Sequence, residues 1–208
     1  MSIVKRISIY LVGFNLLILG ISCLITSTYG QSAWDGVYVA TSKLTGLPVG
    51  ATTFFSASAI LTFCYFLTKE KRVFLSLITS LIQSLLIDFY LSLVKTLFPG
   101  ESPTTKILLF IVGIFLMGLG ISIYIRAKFP TNHVDCLMLS LSKRFQLNLR
   151  KAKLLGDSSA IVLTFLIARS ITPGTFIVLV SLSPLVQFFS DKLDKLFSRV
   201  AYSGNQSI

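Results

Sequence analysis

SAWDGVYVATSKLTGLPVG, Ser32 to Gly50, and NHVDCLMLSLSKRFQLNLR, Asn132 to Arg150, are two forms of one stretch set 100 positions apart. The same offset, without a gap, lays ISIYLVGFNLLILGISCLI from Ile7 on ILLFIVGIFLMGLGISIYI from Ile107. Gly13 then meets Gly113, Gly20 meets Gly120, Ser22 meets Ser122, Asp35 meets Asp135, and Ser42-Lys43 meets Ser142-Lys143. From 7 to 49, 13 of 43 positions are identical, and because they include Gly, Ser, Asp and Lys they exceed what shared apolar composition produces. The chain is read as an internal duplication.

Composition supplies the class. Of 208 residues, 53% are hydrophobic and 13% charged, with a mean hydropathy of +0.81. Soluble domains carry about 25% charged residues, so this is read as an integral membrane protein whose first partner is the lipid bilayer. A net charge of +11 would suit nucleic acid. Basic residues of membrane proteins gather on cytoplasmic loops, however, and their distribution here follows that rule, so no nucleic-acid partner is expected. Cys23, Cys64 and Cys136 have no CxxC spacing and read as small core hydrophobes.

Along the chain, six apolar spans are expected: Ile7 to Ile25, about Ala51 to Leu67, Val73 to Val94, Ile107 to Ile125, Leu154 to Ala168 and Thr175 to Phe189. The first could pass for a secretory signal, but the same segment recurs internally at Ile107, where no signal peptide stands. The domain reading is a first membrane repeat over 1–98, a helix-breaking linker over 99–106, a second repeat over 107–191 and a polar cytoplasmic tail over 192–208. Fifteen of the 19 Lys and Arg fall on the N-terminus, the 69–72 loop, the 126–153 loop and the C-terminus, while Lys43, Lys95, Lys106 and Arg169 fall on the other side. Both termini are therefore expected in the cytoplasm. Three spans per repeat is an odd number, so the second copy enters the membrane inverted. The fold class expected is all-α: six transmembrane helices as two inverted three-helix repeats, each with a short amphipathic or half-helix after its first span.

Those short helices are the repeated stretches. Trp34, Val37, Tyr38, Thr41 and Leu44 form one stripe at helical spacing, and Val134, Leu137, Met138, Leu141 and Phe145 the equivalent one. About three turns cannot span a bilayer, so each lies at the interface or dips in as a half-helix. Ser32 with Asp35, and Asn132 with Asp135, approach a capping box with Asp in place of Glu. The repeated acid thus caps its own helix, or two acid-bearing helix ends line a path for a solute or cation.

Polar residues inside apolar spans complete the candidates, since a charge there costs at least ~2.5 kcal/mol. Asp88 in the third span has Lys95 on the same face as a snorkelling partner. Asp157 stands four residues after Lys153 at the start of the fifth, spaced for an ion pair. Gln83 and Gln187 suit helix–helix hydrogen bonds or a ligand. His133 has no second ligand at metal spacing, so neither a metal nor a cofactor is expected.

At these residues the chain resembles the YczE/YyaS/YitT group of bacterial integral membrane proteins. The resemblance rests on Ser32, Trp34-Asp35 and Thr45-Gly46-Leu47-Pro48-Val49-Gly50 in the first half. In the second half it rests on Asp135-Cys136-Leu137-Met138-Leu139 and Ser183-Pro184-Leu185-Val186-Gln187. Phe145-Gln146-Leu147-Asn148 departs from the Gly-Leu turn common in such proteins. The resemblance implies a multi-pass protein of the bacterial plasma membrane and implies no biochemistry.

No nucleophile elbow, P-loop or HExxH occurs, so no enzyme is expected. Two function classes remain. One is a small-solute or ion transporter with candidate residues Asp35, Asp135, Trp34, Asp88, Gln83, Gln187 and Asp157 at the repeat interface. The other is a non-transporting subunit or regulator that docks a partner, including the substrate-capturing subunit of a larger importer. The basic 126–153 loop suits anionic lipid or a cytoplasmic protein, and nothing in the sequence fixes an oligomeric state.

Overall fold

The computed structural model describes residues 3–99, 102–127, 129, 132–169 and 171–203. Positions 100 and 101 of the expected linker, Lys128 of the basic loop and 204–208 of the expected tail lie outside them. The described residues form eight α-helices and no strand: α1 Ile3–Ser27, α2 Ala33–Thr45, α3 Val49–Thr68, α4 Ser76–Leu97, α5 Pro103–Tyr124, α6 His133–Phe145, α7 Leu149–Ala168 and α8 Pro173–Ser203. Short 3-10 turns, Lys71–Leu75 and Ile125–Ala127, precede α4 and follow α5.

Five of these helices, α1, α3, α4, α5 and α8, are long and apolar enough to cross a membrane. The remaining long helix, α7, matches α3 at 20 residues but carries Arg150, Lys151, Lys153 and Asp157 in its first half. Large apolar side chains point outward, among them Phe55, Phe63 and Phe66 of α3, Leu85 and Phe89 of α4 and Val180 of α8. Hydrocarbon suits such faces, because a helix satisfies its backbone internally.

The offset of 100 recurs in the helix ends. Both short helices have 13 residues, begin after Ser32 or Asn132, and end on a left-handed residue, Gly46 (φ 73°) or Gln146 (φ 52°). Ser42 Oγ then donates to Leu47 O at 2.6 Å and Ser142 Oγ to Leu147 O at 2.7 Å. The following helices begin at 49 and 149 and end before left-handed Lys69 and Arg169. Sequence periodicity places the start of the fifth span near Leu154, whereas α7 starts at Leu149. The reason is local: Asn148 Oδ1 accepts from Lys151 N at 2.9 Å and caps the helix earlier.

The helices pack as two sub-bundles. In one, α1 and α5 cross antiparallel, with α4 on α1 and α8 on α5, around Phe14, Leu17, Ile21, Ile87, Ile114 and Met117. In the other, α2 packs on α7 and α6 on α3, around Trp34, Val37, Tyr38, Leu61, Leu137 and Leu141. Each short helix therefore lies on a long helix of the opposite half. The α1–α5 crossing is close enough that a Cβ on Gly13 would stand 2.5 Å from Tyr124 N, and one on Gly20 2.6 Å from Met117 N.

One end of the bundle gathers the start of α1, the 69–72 turn and the ends of α5 and α6. There Arg6 Nε donates to Ala127 O at 2.9 Å and Lys143 pairs with Glu70. At the other end Gly174 N donates to Tyr29 O at 3.1 Å, tying the α1–α2 loop to the start of α8.

Candidate functional site

Between the sub-bundles lies a cavity of about 500 Å3. Leu17 and Ile21 of α1, Gln83 of α4, Met117 and Tyr124 of α5 and Leu182 of α8 form one wall. The first turns of α2 and α6, with Lys153 and Asp157 of α7, form the other. Trp34, Asp35, Gln83, Asp135, Asp157 and Gln187, distant in sequence, are brought together around it. Gln187 and Ser183 stand on the exposed side of α8, where the cavity is open.

Asp88 is not among them. Its Oδ1 accepts the Gly50 N–H at 2.7 Å, in place of the expected pairing with Lys95. The cause lies in the first turn of α3: Pro48 at the N-cap makes no side-chain bond, so an orphan N–H is satisfied from α4. The second half needs no such help, because Asn148 caps α7 itself and position 188 is Phe.

The two repeated acids sit in first turns whose capping is done by their neighbours. Ser32 Oγ accepts from Asp35 N at 3.4 Å and donates to Asp35 Oδ2 at 2.5 Å. Asn132 Oδ1 accepts from Val134 N at 3.2 Å, and Asp135 instead accepts from the Tyr124 hydroxyl. Neither carboxylate bonds an N–H of its own helix or a cationic side chain among the described residues. Asp35 is 3% exposed, so its sole polar partner is one hydroxyl in a largely apolar surround.

Other polar groups differ in how well they are satisfied. Asp157 pairs with Lys153 at 3.3 Å, at the expected i,i+4 spacing. Gln83 Oε1 and Trp34 Nε1 are buried without a hydrogen-bond partner. An unmade hydrogen bond at a buried polar group costs about 1–3 kcal/mol, which makes these two atoms conspicuous. His133, a lone histidine in the sequence, is fully buried and joins three helices: Nε2 lies 2.6 Å from Tyr38 Oη of α2 and Nδ1 3.0 Å from Ser80 Oγ of α4. Among the described residues no three His, Cys, Asp or Glu converge as metal ligands.

Sequence reasoning passes over Tyr124, the partner of Asp135. A signal exists, since its equivalent in the first half is Leu24, an apolar residue replaced by a hydroxyl-bearing one at the end of the span. The basic 126–153 segment is largely helix rather than loop. Within it Cys136, Leu137 and Leu141 are buried, and Arg126 holds Ser190 O at 2.6 Å and Asp194 at 2.7 Å.

A second cavity, about 400 Å3, opens at the end marked by Tyr29 and Gly174. Thr26, Gln31, Gly36, Lys43, Lys95 and Thr172 are among its lining. Ala33, the first residue of α2, lines both cavities.

These features describe a multi-pass α-helical membrane protein with a largely apolar, acid-bearing cavity at the junction of two helical sub-bundles. The chain belongs to DUF6198, a family of unknown function whose profile matches residues 4–191. It is 37% identical to the uncharacterised protein YyaS of Bacillus subtilis (strain 168) over 138 residues, 65% of this chain and 69% of YyaS. An uncharacterised protein of Haemophilus influenzae is 25% identical over 193 residues, 92% of this chain and 86% of that protein. The uncharacterised membrane protein YczE of B. subtilis is 25% identical over 143 residues, 68% of this chain and 65% of YczE. The resemblance carried by the Trp34-Asp35 and Asp135 motifs is thereby borne out. No solved structure matches the chain.

Proposed function

We propose that the chain is a small-solute transporter of the bacterial plasma membrane, crossing the bilayer six times as two inverted repeats, α1–α4 and α5–α8. Its solute site is the cavity between the sub-bundles. The antiparallel α1–α5 crossing and the exchange of α2 and α6 between halves support the inverted arrangement. On this reading α7 is the sixth span. Its charged first turns sit at the membrane surface beside Lys143 and Glu70, where Arg150 and Lys151 reach headgroups. Both termini face the cytoplasm, a placement that the distribution of Lys and Arg supports. No catalytic role is assigned to any residue.

The observation that carries the proposal is that two cavities, one at the end marked by Tyr29 and Gly174 and the other open beside α8, share Ala33 in their linings. A first turn of helix standing between two vestibules is what alternating access needs, because tilting one sub-bundle on the other opens one vestibule while closing its counterpart. Flux tests this even while the solute is unidentified. Proteoliposomes loaded with a cell extract of small molecules are incubated and their contents read by mass spectrometry. Wild type should deplete particular solutes relative to empty liposomes, and Asp35→Asn and Asp135→Asn should retain them. Equal contents in wild-type and empty liposomes would overturn the proposal.

A further inference from the structure

The cavity between the sub-bundles has a chemical bias that narrows its ligand. Its charged lining is three carboxyls, Asp35, Asp135 and Asp157, against the single ammonium of Lys153. Lys153 is already committed to Asp157, which leaves Asp35 and Asp135 with one hydroxyl partner each. Independently of the acids, Gln83 is 2% exposed and its Oε1 has no hydrogen-bond partner. An amide oxygen held in that state is an acceptor lacking a donor, and the free capacity of both carboxylates is likewise acceptor capacity. Apart from Ser32, Asn132, Ser183, Gln187 and Ser190, the rest of the wall is apolar or aromatic, from Leu17, Ile21, Met117, Met138 and Leu182 to the rings of Trp34, Tyr38 and Tyr124.

Among the described residues of the lining, Trp34 Nε1 is the one unpartnered buried donor, against Gln83 Oε1 and the free capacity of two carboxylates. This excess of acceptors and of negative charge, beside apolar and aromatic side chains, selects a donor cation with a hydrophobic body. A bare metal ion would require ligands that converge, and among the described residues no such cluster exists. A quaternary ammonium would leave Gln83 Oε1 unpaired, whereas an ammonium with N–H groups satisfies it and a carboxylate together. Aromatic faces add attraction for the same charge.

We propose that this cavity binds a small amphiphilic amine, its ammonium held between Gln83 Oε1 and the Asp35 and Asp135 carboxylates and its apolar body against the α1, α5 and α8 wall. The proposal rests on the transporter reading for its purpose but not for its test. Trp34 is the sole tryptophan of the chain and lines the cavity, so its fluorescence reports occupancy directly.

The experiment titrates the purified full chain in detergent with three probes of one shape, phenethylamine, phenethyl alcohol and 3-phenylpropionate, reading Trp34 emission and thermal unfolding. The amine should perturb emission saturably and raise the melting temperature, while the alcohol and the carboxylate bind at least tenfold more weakly. Asp35→Asn and Asp135→Asn should each weaken the amine at least tenfold. If a variant fails to fold, the charge discrimination of the wild type decides alone. Equal response to the three probes, preference for the carboxylate, or no saturable response overturns the proposal. Solute depletion from loaded liposomes without amine preference would sink this inference and leave transport standing. Amine binding without any depletion would do the reverse.

Discussion

Gly13 and Gly120 meet backbone to backbone: a Cβ on Gly13 would stand 2.9 Å from Gly120 O, and one on Gly120 2.7 Å from Gly13 O. Gly20 and Gly113 make the same contact with the halves exchanged, at 2.8 and 2.9 Å. Because backbone cannot move aside as a flexible side chain does, Gly120→Ala should destabilise the protein by about 1–3 kcal/mol, the usual cost of overpacking. Gly156→Ala is the control, since its Cβ would meet nothing nearer than Leu137 Cδ2 at 3.7 Å. Thermal unfolding in detergent measures both, and a Gly120→Ala protein melting with wild type would refute the tight crossing.

Asp88 provides a second case in which one bond defines a role. Asp88→Ala removes the acceptor for Gly50 N–H and should cost about 0.5–2 kcal/mol, as lost helix caps do. Asp88→Asn keeps an acceptor at that place and should cost less. Neither should alter solute depletion from liposomes, because Asp88 does not line the cavity between the sub-bundles. Loss of depletion by a folded Asp88→Asn protein would return this residue to the pathway.

The halves of the fold were legible to different degrees. Gly13, Gly20, Asp35 and Ser42 match their counterparts in type, so the duplication and the short helices could be read directly. Beyond Val49 identities thin out, yet α3 and α7 keep the same bounds, because caps and left-handed ends tolerate different residues: Pro48 and Asn148, Lys69 and Arg169. Gln83, Asp157 and Gln187 stand out in the sequence as polar groups in apolar spans and Asp35 and Asp135 as a repeated acid, signals of cost and of duplication rather than of place. Separating Asp88 from Asp35 required knowing that α4 passes the start of α3, and periodicity carries no such information.

Glu70 and Lys143 form an exposed pair between the 69–72 turn and α6, and the Lys143 ammonium holds the Glu70 carboxyl below its ordinary value. A carboxyl lowered on folding stabilises the native state above the ordinary carboxylate range and loses that contribution as pH falls through its folded value. Both side chains are solvated, so the effect is small and screened by salt. The melting temperatures of wild type and Glu70→Gln should converge as pH drops below that range, and also in high salt at neutral pH. A gap that persists in acid would contradict the pairing.

Helix α4 leads from the 69–72 turn toward Lys95, about 33 Å over 22 residues at 1.5 Å each, enough to cross the hydrocarbon. In a background lacking Cys23, Cys64 and Cys136, a cysteine replacing Lys95 should react with an impermeant thiol reagent added to intact cells. One replacing Glu70 should be protected until the membrane is opened. Reaction of both from the same side would end the six-span arrangement.

Ala33 is the residue at which an alternating pathway can be probed from either side, because it lines both cavities and stands beside the cap of α2. The measurement is the rate at which Ala33→Cys, alone in the cysteine-free background, is modified by an impermeant thiol reagent in right-side-out and in inverted vesicles. A pathway that alternates between its two ends predicts modification from both sides. Modification from one side only, or from neither, would contradict it and leave the cavity between the sub-bundles as a closed feature of the fold.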